Sequence, residues 1–160
     1  MRLSYFFTFA VLVGTVTAVD PPFPYCYMGR SELEVGDILT NDEYLCNGPY
    51  KLVMQSDENL VLYDMSAENK IIWASGTASN MPNVEQIQVQ LTLKPDANIA
   101  ISILFNGKWI QKWSTHHGSP NRSAAWMEID KEGQMAVYDI HEQLVWKMKA
   151  NDLNGGIVIG

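Results

Sequence analysis

Gln55-Ser56-Asp57-Glu58-Asn59-Leu60-Val61-Leu62-Tyr63 is the stretch on which the reading of this chain turns. Alternate positions hold an amide, a carboxylate, a second amide, an aliphatic side chain and a phenol. Ionised Asp57 can only accept hydrogen bonds, whereas Gln55, Asn59 and Tyr63 can donate or accept. Such a set suits a small neutral ligand covered in hydroxyls, and it needs no metal. A neutral hydrogen bond nets about 1 kcal/mol and one to a charged group roughly 1.5–3, so Asp57 should contribute most per bond. Val61 would lie against an apolar patch of the ligand. The same alternation also fits the solvated face of an amphipathic hairpin, with Leu52, Met54, Leu60 and Leu62 buried behind it.

The pattern recurs. Lys94, Asp96, Asn98, Ala100 and Ser102 form a second version, followed by Trp109-Ile110-Gln111-Lys112-Trp113. Asp130, Glu132, Gln134, Ala136 and Tyr138 form a third, followed by Leu144-Val145-Trp146. The first is followed by Ile71-Ile72-Trp73-Ala74-Ser75, and the steps between motif starts are 39 and 36 residues. Turn signals recur at Asn47-Gly48-Pro49, Asp57-Glu58-Asn59, Pro95-Asp96-Ala97-Asn98, Asn106-Gly107 and Lys131-Glu132-Gly133. No segment after the N-terminus carries a sustained helical apolar stripe. The expectation is an all-β fold of three repeats, each a strand, tight turn, strand, turn and strand.

The first motif reads Q-x-D-x-N-x-V-x-Y, and all five specified positions are present. It resembles the mannose-binding motif of the bulb-type (monocot mannose-binding) lectin family. The resemblance covers about residues 30–150, and Leu33, Gly36 and Leu39 resemble the family's entry segment. It implies a β-prism II, three antiparallel four-stranded sheets around a pseudo-threefold axis, with Trp73, Trp113 and Trp146 filling the core. It also implies carbohydrate binding through Gln55, Asp57, Asn59, Val61 and Tyr63. Asp57 and Asn59 would hold the axial 2-hydroxyl of mannose, Gln55 the 3-hydroxyl and Tyr63 the 4-hydroxyl. The partners implied are mannose-type glycans or glycoproteins.

The other two motifs depart from the pattern. The second keeps Asp96 and Asn98 but has Lys94 for glutamine, Ala100 for valine and Ser102 for tyrosine. The third keeps Tyr138, but Asp130, Glu132 and Gln134 move their polar heads by about one bond, which a hydrogen-bond cluster tolerates poorly. Both are expected to be silent toward mannose. The family also places a cysteine inside the first motif, where this chain has Glu58.

Residues 1–18 read as a secretory signal peptide. Arg2 precedes an apolar run from Leu3 to Val13, and Val16 and Ala18 are the small residues before a cut. The run is shorter than the ~20 residues that span a bilayer. Residues 19–29 read as an N-terminal arm with Pro21, Pro22 and Pro24, and 151–160 as a C-terminal tail. The expected location is extracellular. There the two cysteines, Cys26 and Cys46, would pair, contributing roughly 3 kcal/mol by the chain-entropy account. A net charge of −7 argues against nucleic acid or an anionic membrane as partner. The family often dimerises by exchanging its C-terminal strand. Here Ile157-Val158-Ile159 could be such a strand in a homodimer, a self-docking strand or a frayed end.

Other chemistry finds little support. His116-His117 has no acid or cysteine at ligand spacing, so no metal site is expected there. His141 sits in a turn and suggests no role. Asn121-Arg122-Ser123 is a glycosylation sequon in a surface loop. No nucleophile elbow, phosphate loop or zinc-protease motif occurs. Asp57 and Glu58 adjoin in a turn and would diverge, and Asp130 with Glu132 is a weak candidate for a glycosidase pair. The chain reads as a binding protein, not an enzyme, without cofactor or calcium. The rival reading is a protein-interaction or structural module on the same scaffold.

Overall fold

The computed structural model describes Cys26 and residues 29–79, 88–116 and 118–148. The expected leader (1–18), most of the arm (19–29), the tail (151–160) with its exchangeable strand, and His117 lie outside these residues.

Twelve strands make up the described fold: β1 (Glu32–Glu34), β2 (Ile38–Thr40), β3 (Tyr44–Asn47), β4 (Tyr50–Met54), β5 (Leu60–Asp64), β6 (Lys70–Ala74), β7 (Val89–Leu93), β8 (Ile99–Phe105), β9 (Lys108–Ser114), β10 (Trp126–Ile129), β11 (Met135–Tyr138) and β12 (Leu144–Lys147). They form three four-stranded sheets, ordered β3-β4-β5-β6 (sheet I), β2-β7-β8-β9 (sheet II) and β1-β10-β11-β12 (sheet III). Every described pairing is antiparallel. This is the β-prism II arrangement.

Each repeat supplies three consecutive strands of one sheet. The fourth comes from the N-terminal segment 32–47, which visits all three sheets in turn: β1 joins β10, β2 joins β7 and β3 joins β4. Leu33, Leu39 and Leu45 recur every six residues along it, and each is buried in the common core. Strands alternate in facing, with side chains at i and i+2 on one face. Leu52, Met54, Leu60 and Leu62 of sheet I, Leu91 and Ile101 of sheet II, and Met127, Ile129 and Met135 of sheet III therefore meet in one cluster. Trp73 is buried, while Trp113 and Trp146 are partly buried and pack against the cluster. The Trp73 and Trp113 rings meet edge to face at 5.7 Å. The tryptophans thus seal the core's margin more than they fill its centre.

Cys26 and Cys46 form a disulfide, which ties the chain just before β1 to β3. Gly29 must be small, because a Cβ there would collide with the Cys46 sulfur.

Because Leu39 carries β2 into the core, Leu39→Ala should cost about 2–5 kcal/mol of unfolding free energy. Urea unfolding would measure this, and a loss below 1 kcal/mol would contradict the assigned role of the segment.

Candidate functional site

The three motifs occupy the same turn of the fold. In each, the first residue's N–H donates to the carbonyl of the fifth: Gln55 to Asn59 at 2.8 Å, Lys94 to Asn98 at 2.9 Å and Asp130 to Gln134 at 2.9 Å. The fourth residue donates back to the first: Glu58 to Gln55, Ala97 to Lys94 and Gly133 to Asp130. That fourth residue has positive φ in all three, 75° at Glu58, 70° at Ala97 and 73° at Gly133. This is the three-residue hairpin loop that ends on a left-handed residue. Each motif strand faces a bulge on the strand that follows it: Ile72 of β6, Lys112 of β9 and Val145 of β12 are the extra residues opposite Leu62/Tyr63, Ile101/Ser102 and Val137/Tyr138. The motif strands themselves stay in regular register with their other neighbours, so ordinary alternation sets the direction of each motif's last residue.

In the first motif the polar groups converge. Gln55 Nε2 donates to the Tyr63 phenol oxygen at 2.7 Å. This orients both: Gln55 keeps its carbonyl oxygen as acceptor and Tyr63 keeps its O–H as donor. Asp57 is exposed, and its Oδ1 accepts the Asn59 N–H at 3.0 Å, leaving Oδ2 as acceptor. The Asn59 Oδ1 accepts from the Ser75 hydroxyl at 3.0 Å, from the Gly76 N–H at 3.1 Å and from the Thr77 N–H at 3.3 Å. Asn59 therefore presents only its NH₂ outward, as a donor, which the residue type alone could not determine. Val61 does not form an open wall. It is 1 % exposed, and Ala100 and Ala136 at the equivalent positions are 0 % exposed, so it packs beneath the site.

Ser75 and Thr77 were not among the sequence candidates, yet they fix the Asn59 amide. Ser75 also accepts the Leu60 N–H at 3.0 Å. In the second unit Thr115 repeats this, accepting from the Ile99 N–H and donating to Asn98 Oδ1. The detectable signal is a hydroxyl two residues after the tryptophan: Trp73 to Ser75 and Trp113 to Thr115. The third unit has Met148 there and lacks the asparagine too.

The second motif spends its groups differently. Lys94 Nζ donates to Gln111 Oε1 at 2.8 Å. Asp96 Oδ1 accepts the Asn98 N–H at 3.0 Å. The backbone of Gly118 lies so close that a Cβ there would sit 2.5 Å from Asp96 Oδ2. In the third motif both Asp130 oxygens are engaged. Oδ1 accepts the Glu132 and Gln134 N–H groups, each at 2.9 Å, and Oδ2 pairs with Lys147 Nζ at 2.6 Å. Burial opposes ionisation of Asp130, but Lys147 and these backbone donors outweigh it and hold its pKa below the usual value. The Lys147 ammonium, bonded to Asp130, is raised. Tyr138 stacks on Trp126 with 5.4 Å between centroids, and burial together with the nearby Glu128 and Asp130 carboxylates raises its phenol. Asp130 is thus committed to Lys147 and to its own turn.

Glu58 is the unexpected member of the first turn. It is 1 % exposed, and neither carboxylate oxygen has a hydrogen-bond donor among the described residues. Its charge is balanced by Lys112 Nζ, 3.3 Å from Oε2, reaching over from β9 of sheet II. It is an ion pair within hydrogen-bond distance but without hydrogen-bond angles. His116 and His141 are both exposed, and no group of three or more His, Cys, Asp or Glu able to hold a metal occurs among the described residues. Asn121 is exposed next to a turn that Ser119 closes.

No protein-family model matches the chain. A mannose-specific lectin of Narcissus tazetta is 36 % identical over 66 residues, 41 % of this chain and 42 % of that protein. The chain thus spans less than half the length of that relative. The solved native tarin lectin is 30 % identical with a TM-score of 0.53, covering 69 % of this chain and 88 % of that one. The bulb-type lectin family contains this chain. The snowdrop (Galanthus nivalis) agglutinin, solved with methyl α-D-mannoside, is 27 % identical with a TM-score of 0.55 over 68 % of this chain and 88 % of that one. The proteins that this bulb-type lectin chain resembles are lectins, not enzymes.

Two outcomes follow from the ion pairs. Lys112→Met should destabilise the fold by about 1–3 kcal/mol, below the ~3–5 of a fully buried pair because the lysine is one-third exposed; denaturant unfolding reads the difference. Asp130 has a lowered folded pKa, so its stabilising contribution is present above the unfolded carboxylate value of about 4 and is lost as pH falls through the folded one. The stability gap between wild type and Asp130→Asn should be constant near neutrality and close in acid. A gap that persists at the acid end would contradict the pairing.

Proposed function

We propose that the chain is a secreted lectin that recognises mannose or mannose-containing glycans through the first motif, without a metal. The observation that carries this is the complementary set at one turn: Gln55 Oε1 and Asp57 Oδ2 as acceptors, and Asn59 Nδ2 and the Tyr63 O–H as donors. Adjacent hydroxyls of a pyranose each donate and accept, so an alternating set of this kind satisfies them pairwise. The mannose specificity in the names of the similar proteins supports the same reading. The charged acceptor, Asp57, is already oriented by its bond to the Asn59 N–H, so little side-chain freedom is lost on binding. Val61 contributes by supporting the strand under the ligand.

A single site of this size binds weakly, and a Kd of about 1 mM corresponds to only −4.1 kcal/mol. Avidity from several copies would raise the effective affinity, which is the use we assign to a homodimer. Secretion follows from the leader-like residues 1–18, with Asn121 as a glycosylation site on the exposed loop.

A second reading, a protein-interaction module, is favoured by one observation: the second and third motifs have turned their polar groups onto the protein itself. It predicts no sugar response at the first motif either. The test is a titration with methyl α-mannoside followed by NMR, with the galactoside as control. Saturable shifts at Gln55–Tyr63 are expected with mannoside only and should survive a chelator. Asp57→Ala should abolish them, and Asp96→Ala should leave them unchanged. Asn59→Asp keeps the oxygen facing Ser75 but removes the outward donor, so it should fold and weaken binding at least about tenfold, or ~1.4 kcal/mol. Full affinity in folded Asp57→Ala would refute the site.

A further inference from the structure

Sheet II differs from its two counterparts. Its hairpin strands β8 and β9 are seven residues each, against five in β5 and β6 and four in β11 and β12. The two-residue turn at Asn106-Gly107, with φ of 50° and 73°, matches the type I′ geometry that joins strands tightly. The extension carries Trp109, 48 % exposed, which the common core does not use.

Register places Trp109 on the outer face. Leu39, Leu91 and Ile101 pair across sheet II and point into the core, so the neighbouring row Thr40, Gln90, Ser102 and Gln111 points outward. Trp109 pairs with Leu104, two residues beyond Ser102, and lies on that same outer face. Beside it opens a cavity of about 310 Å³ lined by Ile38, Thr40, Asn41, Gln88, Gln90 and Trp109, among others. This is the lower end of the ~300–1,000 Å³ of small-molecule sites.

We propose that this groove is a second saccharide-binding site, independent of the motif turn. Its lining has the two components that a neutral sugar needs. Trp109 and Ile38, each about half exposed, offer an electron-rich indole face and an aliphatic edge to the C–H side of a pyranose. Gln88 and Gln90 supply amides that make no hydrogen bond to any described residue, and each can donate and accept. The Thr40 hydroxyl, which donates to Glu43 Oε2 at 3.0 Å, remains able to accept. The Asn41 side chain is anchored by accepting the Val89 N–H at 2.9 Å, which fixes the groove wall.

Among the described residues that line the groove none is ionisable, and the charge beside it, Glu43 bonded to the Thr40 hydroxyl, is negative, in a chain whose net charge is −7. A phosphate-bearing ligand such as a nucleotide would find no cation there, although its base could stack on the indole. The ligand class is thus neutral and polyhydroxylated. The groove lies at the opposite end of β8 from the Asp96-Asn98 turn. Six residues separate Asn98 from Leu104, the partner of Trp109, roughly 20 Å of strand; the groove adjoins Ser102, the second motif's last residue, which lies opposite Gln90, but does not include that motif's turn.

The experiment uses the full chain, labelled with nitrogen-15, and its Asp57→Ala variant, in which the first motif is disabled. Methyl α-mannoside, mannobiose and cellobiose are titrated while the Trp109 indole N–H and the Gln88 and Gln90 amides are followed. Expected is a saturable shift of these signals with at least one saccharide, the same in both proteins. Trp109→Ala should weaken that binding about tenfold, and Gln90→Ala, a milder change on the sheet, should weaken it severalfold. Shifts confined to Gln55–Tyr63, or none in the groove up to high millimolar saccharide, would overturn the proposal. Groove shifts without motif shifts in the wild type would support it while refuting the first-motif reading.

Discussion

The fold depends on one constraint: a single sixteen-residue segment, 32–47, must complete three sheets at once. Each repeat brings only three strands, and a three-stranded sheet leaves an open row of backbone donors and acceptors beside a hydrophobic core. The segment pairs with one edge of each repeat and becomes the outer strand of all three sheets, and its leucines at 33, 39 and 45 enter the common core. No repeat is therefore complete by itself. The disulfide from Cys26 to Cys46 loops around this segment, so the covalent staple lies where the non-local pairing is most costly in chain entropy.

The three motif turns show how one backbone solution can persist while its chemistry diverges. In every copy an aspartate first satisfies its own turn: Asp57 and Asp96 accept the N–H two residues on, and Asp130, at the first position of its motif, accepts the N–H groups two and four residues on. Asp96 and Asn98 are therefore accounted for by the turn and by Thr115, without any ligand. Their retention in the second copy is weak evidence of binding. The distinguishing features of the first copy are the groups left over after the turn is built, namely Gln55, the outer Asp57 oxygen, the Asn59 NH₂ and Tyr63.

Much of this was legible in the sequence. Repeats at 55, 94 and 130 gave the three units, and alternation put Leu52, Met54, Leu60 and Leu62 inside. The fourth strands were not legible as such, because three short runs around Leu33, Leu39 and Leu45 carry no hint of which sheet each joins. The burial of Val61 was missed because a strand position facing outward can still be covered. The direction of the Asn59 amide depends on Ser75, Gly76 and Thr77, which lie just beyond β6 and sixteen or more residues on in sequence. Trp109 was quoted only as part of a tryptophan-bearing strand. That it faces away from Trp113 follows from the bulge at Lys112, opposite Ile101 and Ser102, which pattern reading does not register.

Glu58 links these observations. A cysteine is usual at this place in the family's motif, and here the position holds a left-handed, buried carboxylate. A buried charge is costly unless paired, and the available cation is Lys112 on another sheet. In this chain the position is held electrostatically, between sheets I and II. Glu58 lies between Asp57 and Asn59, and its carbonyl oxygen accepts from the Thr77 hydroxyl, so the ion pair anchors the turn from below. Lys112 is also a neighbour in sequence of Gln111, the residue that holds Lys94 in the second motif. Strand β9 thereby serves three places: it anchors the first motif through Lys112, occupies the second through Gln111, and presents Trp109 beyond both. The polar economy of the first turn is thus set partly by a strand that belongs to the second repeat.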